Sequence, residues 1–501
     1  MKKHVSGSLA VACLSGLALF HCNQIAGINE PLLDTSEGGT NTGTTDGGAP
    51  DTSQPGAGMD SGVGMETGTQ SQPEAGPQPM PEAGKDEDTG APTACVGGGT
   101  RCVGNDSQTC SGSGTWEDAG ACPGGCSGSS CITVTAIAAG ASHTCALLSD
   151  TSVKCWGLNA NGQIGDGTTM TRNTPVPVSG LTGVTAVSAG TAHTCALLKG
   201  GTVECWGSNS SGQLGDGTSM ERHTPVAATG LTGVSQVAAG SQNTCAITPS
   251  NANSTVQCWG ANASGFFSSS APTPEPTPTA SGPLNGVSQI SVGDGFLCAL
   301  DTVTNEAYCM GQNTDGDLGT GNTSSSNGTP GNVATQTSPY LMYGTAIYVG
   351  TESMSACAII PNQTAGQPNG IYCWGDNSSG QLGIGSSPAQ ALVATPIPSL
   401  SGVTAVSVGL AHACALLQKG TVDCWGDGTQ GDLGLGSAVP SSVPVAVPGL
   451  SGVTGIAAGD YHSCALLAGG TEVDCWGYNM DGELGNGPIA ASSSSPTPVT
   501  W

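Results

Sequence analysis

One stretch of the chain decides the fold: VTAVSAGTAHTCALLKGGTVECWG (residues 184–207), which continues as SNSSGQLGDGT (208–218). Its first part, up to Gly190, is rich in β-branched and small residues, which is typical of a short strand. Two apolar segments then flank Lys199-Gly200-Gly201, a turn signal that predicts a β-hairpin. After a glycine-rich loop, Thr224-Pro225-Val226 predicts a fourth short strand at the edge of a sheet, where proline is tolerated.

This pattern occurs seven times along the chain. The first cysteines of the units are Cys145, Cys195, Cys245, Cys298, Cys357, Cys414 and Cys464, with successive spacings of 50, 50, 53, 59, 57 and 50 residues. Four short strands in about 50 residues match one blade of a β-propeller. One such sheet cannot bury its own faces, whereas seven sheets arranged in a closed circle can. The sequence therefore predicts an all-β, seven-bladed β-propeller over residues 132–501.

Each unit also carries a second cysteine, ten to sixteen residues after the first. The hairpin turn is centred on Gly200, so Cys195 and Cys205 face each other across two antiparallel strands, within bridging distance. We expect seven disulfides within blades, each worth at most ~3 kcal/mol. The alternative is a set of buried thiols that fill the sheet interface. The expected pairs are Cys145–Cys155, Cys195–Cys205, Cys245–Cys258, Cys298–Cys309, Cys357–Cys373, Cys414–Cys424 and Cys464–Cys475.

The recurring motif AGxxHTCALL…VxCWGxNxxGQLGDGT resembles the RCC1 repeat, over residues 132–501. The resemblance implies a seven-bladed propeller, in agreement with the number of units. Nuclear members of the family exchange guanine nucleotide on a small GTPase, and a secreted propeller-type relative inhibits β-lactamase through one propeller face.

Three units depart from this motif. Unit four has Met310 where the others have tryptophan, and unit five has a longer hairpin between Cys357 and Cys373. Unit three replaces the glycine-rich loop with Gly265-Phe266-Phe267 and a run rich in proline, threonine and serine, Ser268–Ser281. We expect the insertions of units three and five to form protruding surface loops.

The first 94 residues carry export signals. Residues 1–21 read as a signal peptide, because a short basic start precedes an apolar stretch that is too short for a confident membrane span. Leu19-Phe20-His21-Cys22 resembles a lipobox, so Cys22 is the expected lipidation site, although His21 replaces the usual small residue. Lipidation at Cys13 and an ordinary cleaved signal peptide are the alternatives. Residues 22–94 predict a disordered linker, rich in glycine, threonine and proline and strongly acidic from residue 34 onward.

Residues 95–131 form a cysteine-rich segment with six cysteines: Cys95, Cys102, Cys110, Cys122, Cys126 and Cys131. So short a segment has almost no core, and three disulfides are the economical way to hold it. Six cysteines allow fifteen connectivities, and the sequence does not choose among them. Zinc at Cys122 and Cys126 is the competing interpretation, although no paired Cys-x-x-Cys or histidine motif accompanies them.

The net charge limits the partners of the chain. It carries 36 acidic and 9 basic residues, for a formal charge of −27. Nucleic acids and anionic lipid surfaces both require lysine and arginine, so neither is expected as a partner. The 22 cysteines favour an oxidising compartment. We expect an exported monomer in the cell envelope, at the outer membrane or outside the cell, which contacts a membrane only through an N-terminal lipid anchor.

Three sets of repeated residues could carry chemistry. A ring of histidines (His143, His193, His412 and His462) could bind metal, but three units lack the histidine, so a structural hydrogen-bonding role is favoured. Calcium at Asp166, Asp216 or Asp432 is possible in the glycine-rich loops, which match neither a P-loop nor an EF-hand. Six tryptophans recur once per unit and favour packing between blades over a stacking platform for sugars. They are Trp156, Trp206, Trp259, Trp374, Trp425 and Trp476.

No catalytic motif emerges from the chain, and no cofactor is expected. The sequence favours a non-catalytic surface scaffold that presents propeller-face loops to a protein or glycan ligand. One alternative is a secreted hydrolase or lyase, which would need clustered carboxylates, or a carboxylate with histidine, in a deep pocket of one face. The other is a structural envelope or matrix protein. The sequence also leaves open whether Thr497–Trp501 stays in the last blade or completes the first.

Overall fold

The computed structural model describes residues 100–501, except for gaps at 104–105, 112–114, 128–129, 251–252, 264, 266, 268–273, 302–303, 305, 339–340, 342–343, 351–352, 362–367 and 490–491. The expected signal peptide, Cys22, the linker and Cys95 lie outside the described residues. The regular secondary structure consists of β-strands. Within the described part of the chain, no helix is long and apolar enough to cross a bilayer.

A small module precedes the propeller. It contains a three-stranded antiparallel sheet and a two-stranded ribbon: β1 (Thr100–Val103), β2 (Asp106–Cys110), β3 (Trp116–Ala121), β4 (Cys126–Ser127) and β5 (Ser130–Cys131). Disulfides join Cys102 to Cys126 and Cys122 to Cys131, and Cys110 is also disulfide-bonded. Cys122 and Cys126, the candidate zinc ligands, are thus committed to two different disulfides.

Seven four-stranded antiparallel sheets follow, each with its strands in sequence order. We name these strands A to D in every blade. Blade 1 comprises β6 (Val134–Ala139), β7 (His143–Leu148), β8 (Val153–Gly157) and β9 (Arg172–Pro177); blade 2, β10 (Val184–Ala189), β11 (His193–Leu198), β12 (Val203–Gly207) and β13 (Arg222–Ala227); blade 3, β14 (Gln236–Ala239), β15 (Asn243–Ser250), β16 (Asn253–Gly260) and β17 (Glu275–Asn285); blade 4, β18 (Val287–Val292), β19 (Phe296–Asp301), β20 (Ala307–Gly311) and β21 (Ser326–Asn332). Blade 5 comprises β22 (Ala346–Val349), β23 (Ser355–Ile360), β24 (Gly370–Asp376) and β25 (Gln390–Pro396); blade 6, β26 (Val403–Val408), β27 (His412–Leu417), β28 (Val422–Gly426) and β29 (Ser441–Ala446); blade 7, β30 (Val453–Ala458), β31 (His462–Leu467), β32 (Val473–Gly477) and β33 (Ser493–Pro498).

Local sequence explains the shape of each blade. Strand B is almost wholly buried, whereas strand D, with its proline, is partly exposed at the outer edge. The turn between strands B and C of blade 2 places Gly200 and Gly201 at φ +105° and +80°. This left-handed conformation favours glycine, although Thr151 adopts it at the equivalent turn of blade 1 with φ +70°. The hairpin predicted around Lys199-Gly200-Gly201 is therefore confirmed.

The hydrophobic core lies between blades. The described residues form seven clusters of buried apolar side chains, and each cluster joins residues of two neighbouring blades. One of them combines Leu147 and Val153 of blade 1 with Val187 and Trp206 of blade 2. A blade without its neighbours would expose both faces to water, so the propeller fold depends on these interfaces.

The ring closes without exchange of a strand. Strand β33 pairs with β32 of its own blade, so each blade is built from one continuous repeat. Strand β30 of blade 7 contacts β6 of blade 1, and the backbone N–H of Val134 donates to the carbonyl oxygen of Gly470 at 2.7 Å. The C-terminal Trp501 reaches blade 1, where its ring lies edge-on to Trp156 with centroids 5.7 Å apart.

The insertion in blade 3 differs from the expected protruding loop. Residues 275–281 of the run Ser268–Ser281 belong to β17, which extends over Glu275–Asn285 as the D strand. Phe267, at the start of the insertion, is fully buried. Burial of its apolar ring drives Phe267 inward, and residues 275–281 pair with β16 as an edge strand, so the prediction of a surface loop is wrong for these residues. In blade 5, residues 362–367 of the longer hairpin lie outside the described residues.

We predict that Trp501→Ala lowers the free energy of unfolding by about 1–3 kcal/mol, because it removes an aromatic contact that joins the last blade to the first. Chemical denaturation of the oxidised protein measures this change. Met170→Ala, at an exposed position on blade 1, is the control and should leave stability nearly unchanged. Equal effects of the two variants would show that the C-terminal tail does not hold the ring closed.

Candidate functional site

The propeller has two faces, which are formed by different sets of loops. The loops between strands A and B and between strands C and D emerge on the same side, which we call the AB–CD face. In blade 1 these loops touch, because the N–H of Leu158 donates to the carbonyl oxygen of Ser142 at 2.7 Å. The BC hairpins and the links from strand D to the next strand A form the opposite face. The residues singled out from sequence lie either on the AB–CD face or beneath it.

The paired cysteines lie within the blades. In blade 2, Cys195 and Cys205 are directly opposite in the register of strands B and C and are fully buried. Every blade carries a disulfide at this place, with Cα–Cα distances of 4.0–4.1 Å. The pairs are Cys145–Cys155, Cys195–Cys205, Cys245–Cys258, Cys298–Cys309, Cys357–Cys373, Cys414–Cys424 and Cys464–Cys475. These disulfides join strand B to strand C inside each blade, and their buried sulfur atoms do not form part of the exposed faces.

The six repeated tryptophans link neighbouring blades. Each is fully buried, and its indole N–H donates to a backbone carbonyl in the CD loop of the preceding blade at 2.8–3.0 Å. The donor–acceptor pairs are Trp156–Glu483, Trp206–Gln163, Trp259–Gln213, Trp374–Asp317, Trp425–Gln381 and Trp476–Asp432. Packing between blades is thereby confirmed, and these buried rings offer no stacking platform to a sugar.

Close approach of these loops to the tryptophans requires glycine. A Cβ placed on Gly215, whose φ is +73°, would lie 2.8 Å from Nε1 of Trp259. A side chain there would displace the indole from its carbonyl acceptor, so the glycines of the GQLGDGT loops have a packing role. This geometry accounts for the glycine-rich motif without a bound phosphate.

The histidines complete the same interfaces. Their Nε2 atoms lie 2.8–2.9 Å from a hydroxyl of the next blade, in the pairs His143–Thr194, His193–Thr244, His412–Ser463 and His462–Thr144. Thr194 in turn donates its hydroxyl hydrogen to the carbonyl oxygen of Gln163, so Nε2 of His143 is the protonated ring nitrogen. Burial lowers the pKa of His143 to about 3, and the ring is neutral at pH 7. The structural role expected for these histidines is confirmed.

The three candidate calcium ligands occupy different environments. Asp166 and Asp216 are paired with Arg172 and Arg222, the latter pair at 2.7 Å. Burial alone would raise the pKa of Asp216, but hydrogen bonds from Thr218 and Arg222 outweigh burial and lower it. These two carboxylates are thus already neutralised within their own loops, which disfavours calcium there.

The third candidate, Asp432, belongs to a set of buried acids that stand where other blades have glutamine. The set comprises Asp317, Asp432 and Glu483, against Gln163, Gln213 and Gln381. Burial raises the pKa of Asp317 to about 7, that of Asp432 to about 8 and that of Glu483 to about 7. One oxygen of Glu483 accepts the N–H of Asp481 at 2.9 Å, as Gln213 accepts that of Ser211. Burial therefore shifts these acids toward the neutral carboxyl form, which matches the neutral glutamine amide of the other blades.

One of these acids stands beside a histidine. Nδ1 of His412 lies 3.4 Å from Oδ2 of Asp432, and both side chains are buried. Burial lowers the pKa of His412 to about 4 while it raises that of Asp432, so both are neutral at pH 7. Neither residue lines a described pocket. The pair therefore contributes to packing and does not form the open acid–base site that an enzyme would need.

Exposed apolar side chains occur on the AB–CD face at recurring places. They stand in or next to the last part of the CD loop in four consecutive blades of the ring: Val439 in blade 6, Ile489 in blade 7, Met170 in blade 1 and Met220 in blade 2. Met220 is 63% exposed. Grooves between adjacent CD loops and D strands accompany them, one at blades 2 and 3 and one at blades 5 and 6, lined mainly by serine, glycine and proline.

Two family models match the chain, both of the Regulator of chromosome condensation (RCC1) repeat. One matches residues 152–197, 201–247, 369–416 and 419–466, and the other matches 134–163, 184–213, 234–265, 403–432 and 453–483. The matches leave out residues 266–368, where the repeat is most altered. There Met310 replaces the tryptophan, and its side chain packs with Phe267 in one buried cluster.

Known proteins with similar sequences cover parts of the chain. It is 30% identical to the ultraviolet-B receptor UVR8 of Arabidopsis thaliana over 193 residues, which is 38% of this chain and 41% of UVR8. It is 31% identical to the probable E3 ubiquitin-protein ligase HERC6 of Homo sapiens over 136 residues, or 26% of this chain and 13% of HERC6. The chain thus spans less than half the length of either relative.

Solved structures share the fold. Prp20p from Saccharomyces cerevisiae aligns with a TM-score of 0.60 at 21% identity, covering 74% of this chain and 88% of Prp20p. Human WBSCR16 aligns with the same TM-score and identity, covering 70% of this chain and 95% of its own. At this level of identity the likeness concerns the fold alone.

We predict that Glu483→Gln stabilises the protein by about 1–3 kcal/mol at pH 8 and changes little at pH 4. The folded-state pKa of Glu483 is raised, so the wild type loses stability as the pH rises from about 4 to about 7, and glutamine avoids this loss. Urea unfolding at a series of pH values measures the difference. The reverse exchange, Gln213→Glu, should destabilise at pH 8. A gain from Glu483→Gln that is independent of pH would contradict the assignment.

Proposed function

Because the chain belongs to the RCC1-like repeat family, we propose that it is an exported, non-catalytic binding protein that presents its AB–CD face to a protein ligand. The observation that carries this proposal is the row of exposed apolar side chains on that face, in blades 6, 7, 1 and 2. Scattered exposed apolar residues are ordinary on protein surfaces, whereas recurrence in the same loop of consecutive blades is typical of an interaction surface.

The rigidity of the ring supports a binding role. Disulfides, indole–carbonyl hydrogen bonds and buried histidines fix the strands beneath the AB–CD face, so its loops are held in place before a ligand arrives. Preorganisation of this kind lowers the entropic cost of association. The repeated polar residues are used inside the structure, and the loop residues above them vary between blades. Because the fold depends on the buried residues, the loop residues of the AB–CD face can vary to suit a ligand without affecting the fold.

A protein ligand is better supported than a glycan or a reaction. The six repeated tryptophans are buried, which removes the main candidate platform for sugar rings. Among the described residues, the grooves of the AB–CD face bring together serine, proline and a single acid, Asp427, without a histidine beside a serine. Such linings offer no activated nucleophile. A binding surface needs none, and its exposed methionines adapt well to a protein partner.

Export and tethering complete the proposal. The disulfides are typical of proteins that fold in an oxidising compartment. We infer that the signal peptide directs the chain out of the cytoplasm, that Cys22 receives a lipid, and that residues 22–94 link this lipid anchor to the propeller as a stalk. The acidic composition of the stalk favours an extended linker that keeps the propeller away from the membrane surface.

We predict that the full oxidised chain with Cys22→Ser captures a protein from extracts of the cell envelope or of neighbouring cells. Met170→Glu combined with Met220→Glu should abolish capture, because buried charges at an interface are costly. The matched control adds two charges to the opposite face, through Gln418→Glu and Ala468→Glu, and should bind as the wild type does. Equal capture by both double variants, or capture of nothing, would refute binding through the AB–CD face.

A further inference from the structure

Blade 7 differs from the other six blades on the AB–CD face. It carries Tyr461 immediately before the histidine of strand B and Tyr478 immediately after the Cys-Trp-Gly segment of strand C. At the first position the other blades have Ser142, Ala192, Gln242, Gly295, Met354 and Ala411. At the second they have Leu158, Ser208, Ala261, Gln312, Asp376 and Asp427. The propeller geometry thus requires no aromatic side chain at either position.

The two tyrosines form one exposed patch. Their ring centroids lie 6.4 Å apart with the planes tilted by 60°, and the N–H of Tyr478 donates to the carbonyl oxygen of Tyr461 at 2.7 Å. Tyr461 and the neighbouring Met480 are exposed, at 36% and 55%. A partly exposed aromatic pair that the repeat does not require is typical of a surface that contacts a ligand.

The partly exposed acid of this patch is Asp481, which follows Tyr478 in the same CD loop. Burial together with the carboxyl groups of Glu483 and Asp481 raises the pKa of Tyr478. Glu483 lies beneath the loop, where burial favours its neutral form, and Asp460, immediately before Tyr461, is buried as well. The AB and CD loops of blades 6, 7 and 1 contain no lysine or arginine, and the first basic residue beyond them, Arg172, is paired with Asp166. The patch therefore presents aromatic faces together with the Asp481 carboxyl group, and the neighbouring AB and CD loops of blades 6 and 1 add no lysine or arginine.

We propose that Tyr461, Tyr478, Met480 and Asp481, which we call the blade 7 patch, receive an arginine or lysine side chain from a basic segment of the protein ligand. The proposal rests on the protein-binding function of the AB–CD face. The negative faces of the two rings attract the cation, the Asp481 carboxylate pairs with it, and Met480 covers the apolar stem of the side chain.

The charge distribution distinguishes this ligand from a glycan. A neutral sugar can stack on a tyrosine, but it makes no ion pair with Asp481. A cationic side chain uses both features at once. Electrostatic complementarity of this kind also accelerates association and excludes acidic partners.

The test uses a fluorescein-labelled hexa-arginine peptide as the probe, with hexa-glutamate for comparison, and measures fluorescence polarisation with the full oxidised chain. The variants take residues from other blades, so that each is already tolerated by the repeat: Tyr461→Ala as in blade 2, Tyr478→Ser as in blade 2, and Asp481→Asn as in blade 1. Glu221→Gln, an exposed acid near the AB–CD face of blade 2, is the matched control.

We expect hexa-arginine to bind the wild type, each single variant to bind roughly three- to tenfold more weakly, and the triple variant at least tenfold more weakly. The control should bind as the wild type, and thermal unfolding should show that all variants are folded. Equal binding by the triple variant and the control would overturn the proposal. So would failure of the wild type to bind hexa-arginine.

These outcomes separate the patch from the broader function. Should the wild type capture a protein that the triple variant captures equally well, the AB–CD face remains a protein-binding surface and the role of blade 7 is disproved. Should hexa-arginine bind at the patch while no protein is captured from any extract, the patch stands and the proposed function fails.

Discussion

At three of the blade interfaces, one backbone carbonyl oxygen accepts two hydrogen bonds from the next blade and holds the two blades together. In blade 1 this is the carbonyl oxygen of Gln163, which accepts both the indole N–H of Trp206 and the hydroxyl of Thr194 from blade 2. A carbonyl oxygen has two lone pairs, and here both are used by one neighbour. The surrounding apolar cluster excludes water, which strengthens these hydrogen bonds and makes their loss costly. The same arrangement recurs at Gln213 and Asp432.

Most of the architecture could be predicted from the sequence because the same strand, turn and cysteine pattern recurs in seven repeats. The spacing of cysteines gave the number of blades, and the turn around Gly200 placed Cys195 opposite Cys205. The sequence left the C-terminus open because both ways of closing a propeller use the same strand. It also misplaced residues 275–281, since composition alone cannot distinguish a proline-rich loop from a proline-rich edge strand.

The buried acids were the feature that sequence reasoning missed. A comparison of Gly-Gln-Leu-Gly with Gly-Glu-Leu-Gly at Glu483 contained the signal, but charge in a glycine-rich loop suggests exposure. Only the three-dimensional structure shows that this position points beneath the loop, where burial favours the neutral form. The candidate binding surface was visible in part. Comparison of the repeats predicts that the variable loops recognise the ligand. The exposure of Met170, Met220 and Tyr461, however, depends on tertiary packing, which no local sequence pattern predicts.

The division between fixed and variable positions explains how a ring of repeats acquires a specific function. Positions that touch the next blade are restrained by the indole, histidine and glycine contacts, whereas loop positions on the AB–CD face are free to change one blade at a time. In blade 7, two of these loop positions are occupied by tyrosines. In blade 4, the change affects the interface with the neighbouring blade, where apolar contact between Met310 and Phe267 replaces the hydrogen bond of the tryptophan.

Native-state hydrogen exchange, resolved blade by blade with mass spectrometry, tests the central claim that the blades are stable only as a closed ring. If the fold depends on the interfaces between blades, the amides of strands A to C in all seven blades should exchange through the same global unfolding event, with similar free energies of opening. A graded pattern, in which single blades open independently or the first and last blades open far more readily than the rest, would contradict it.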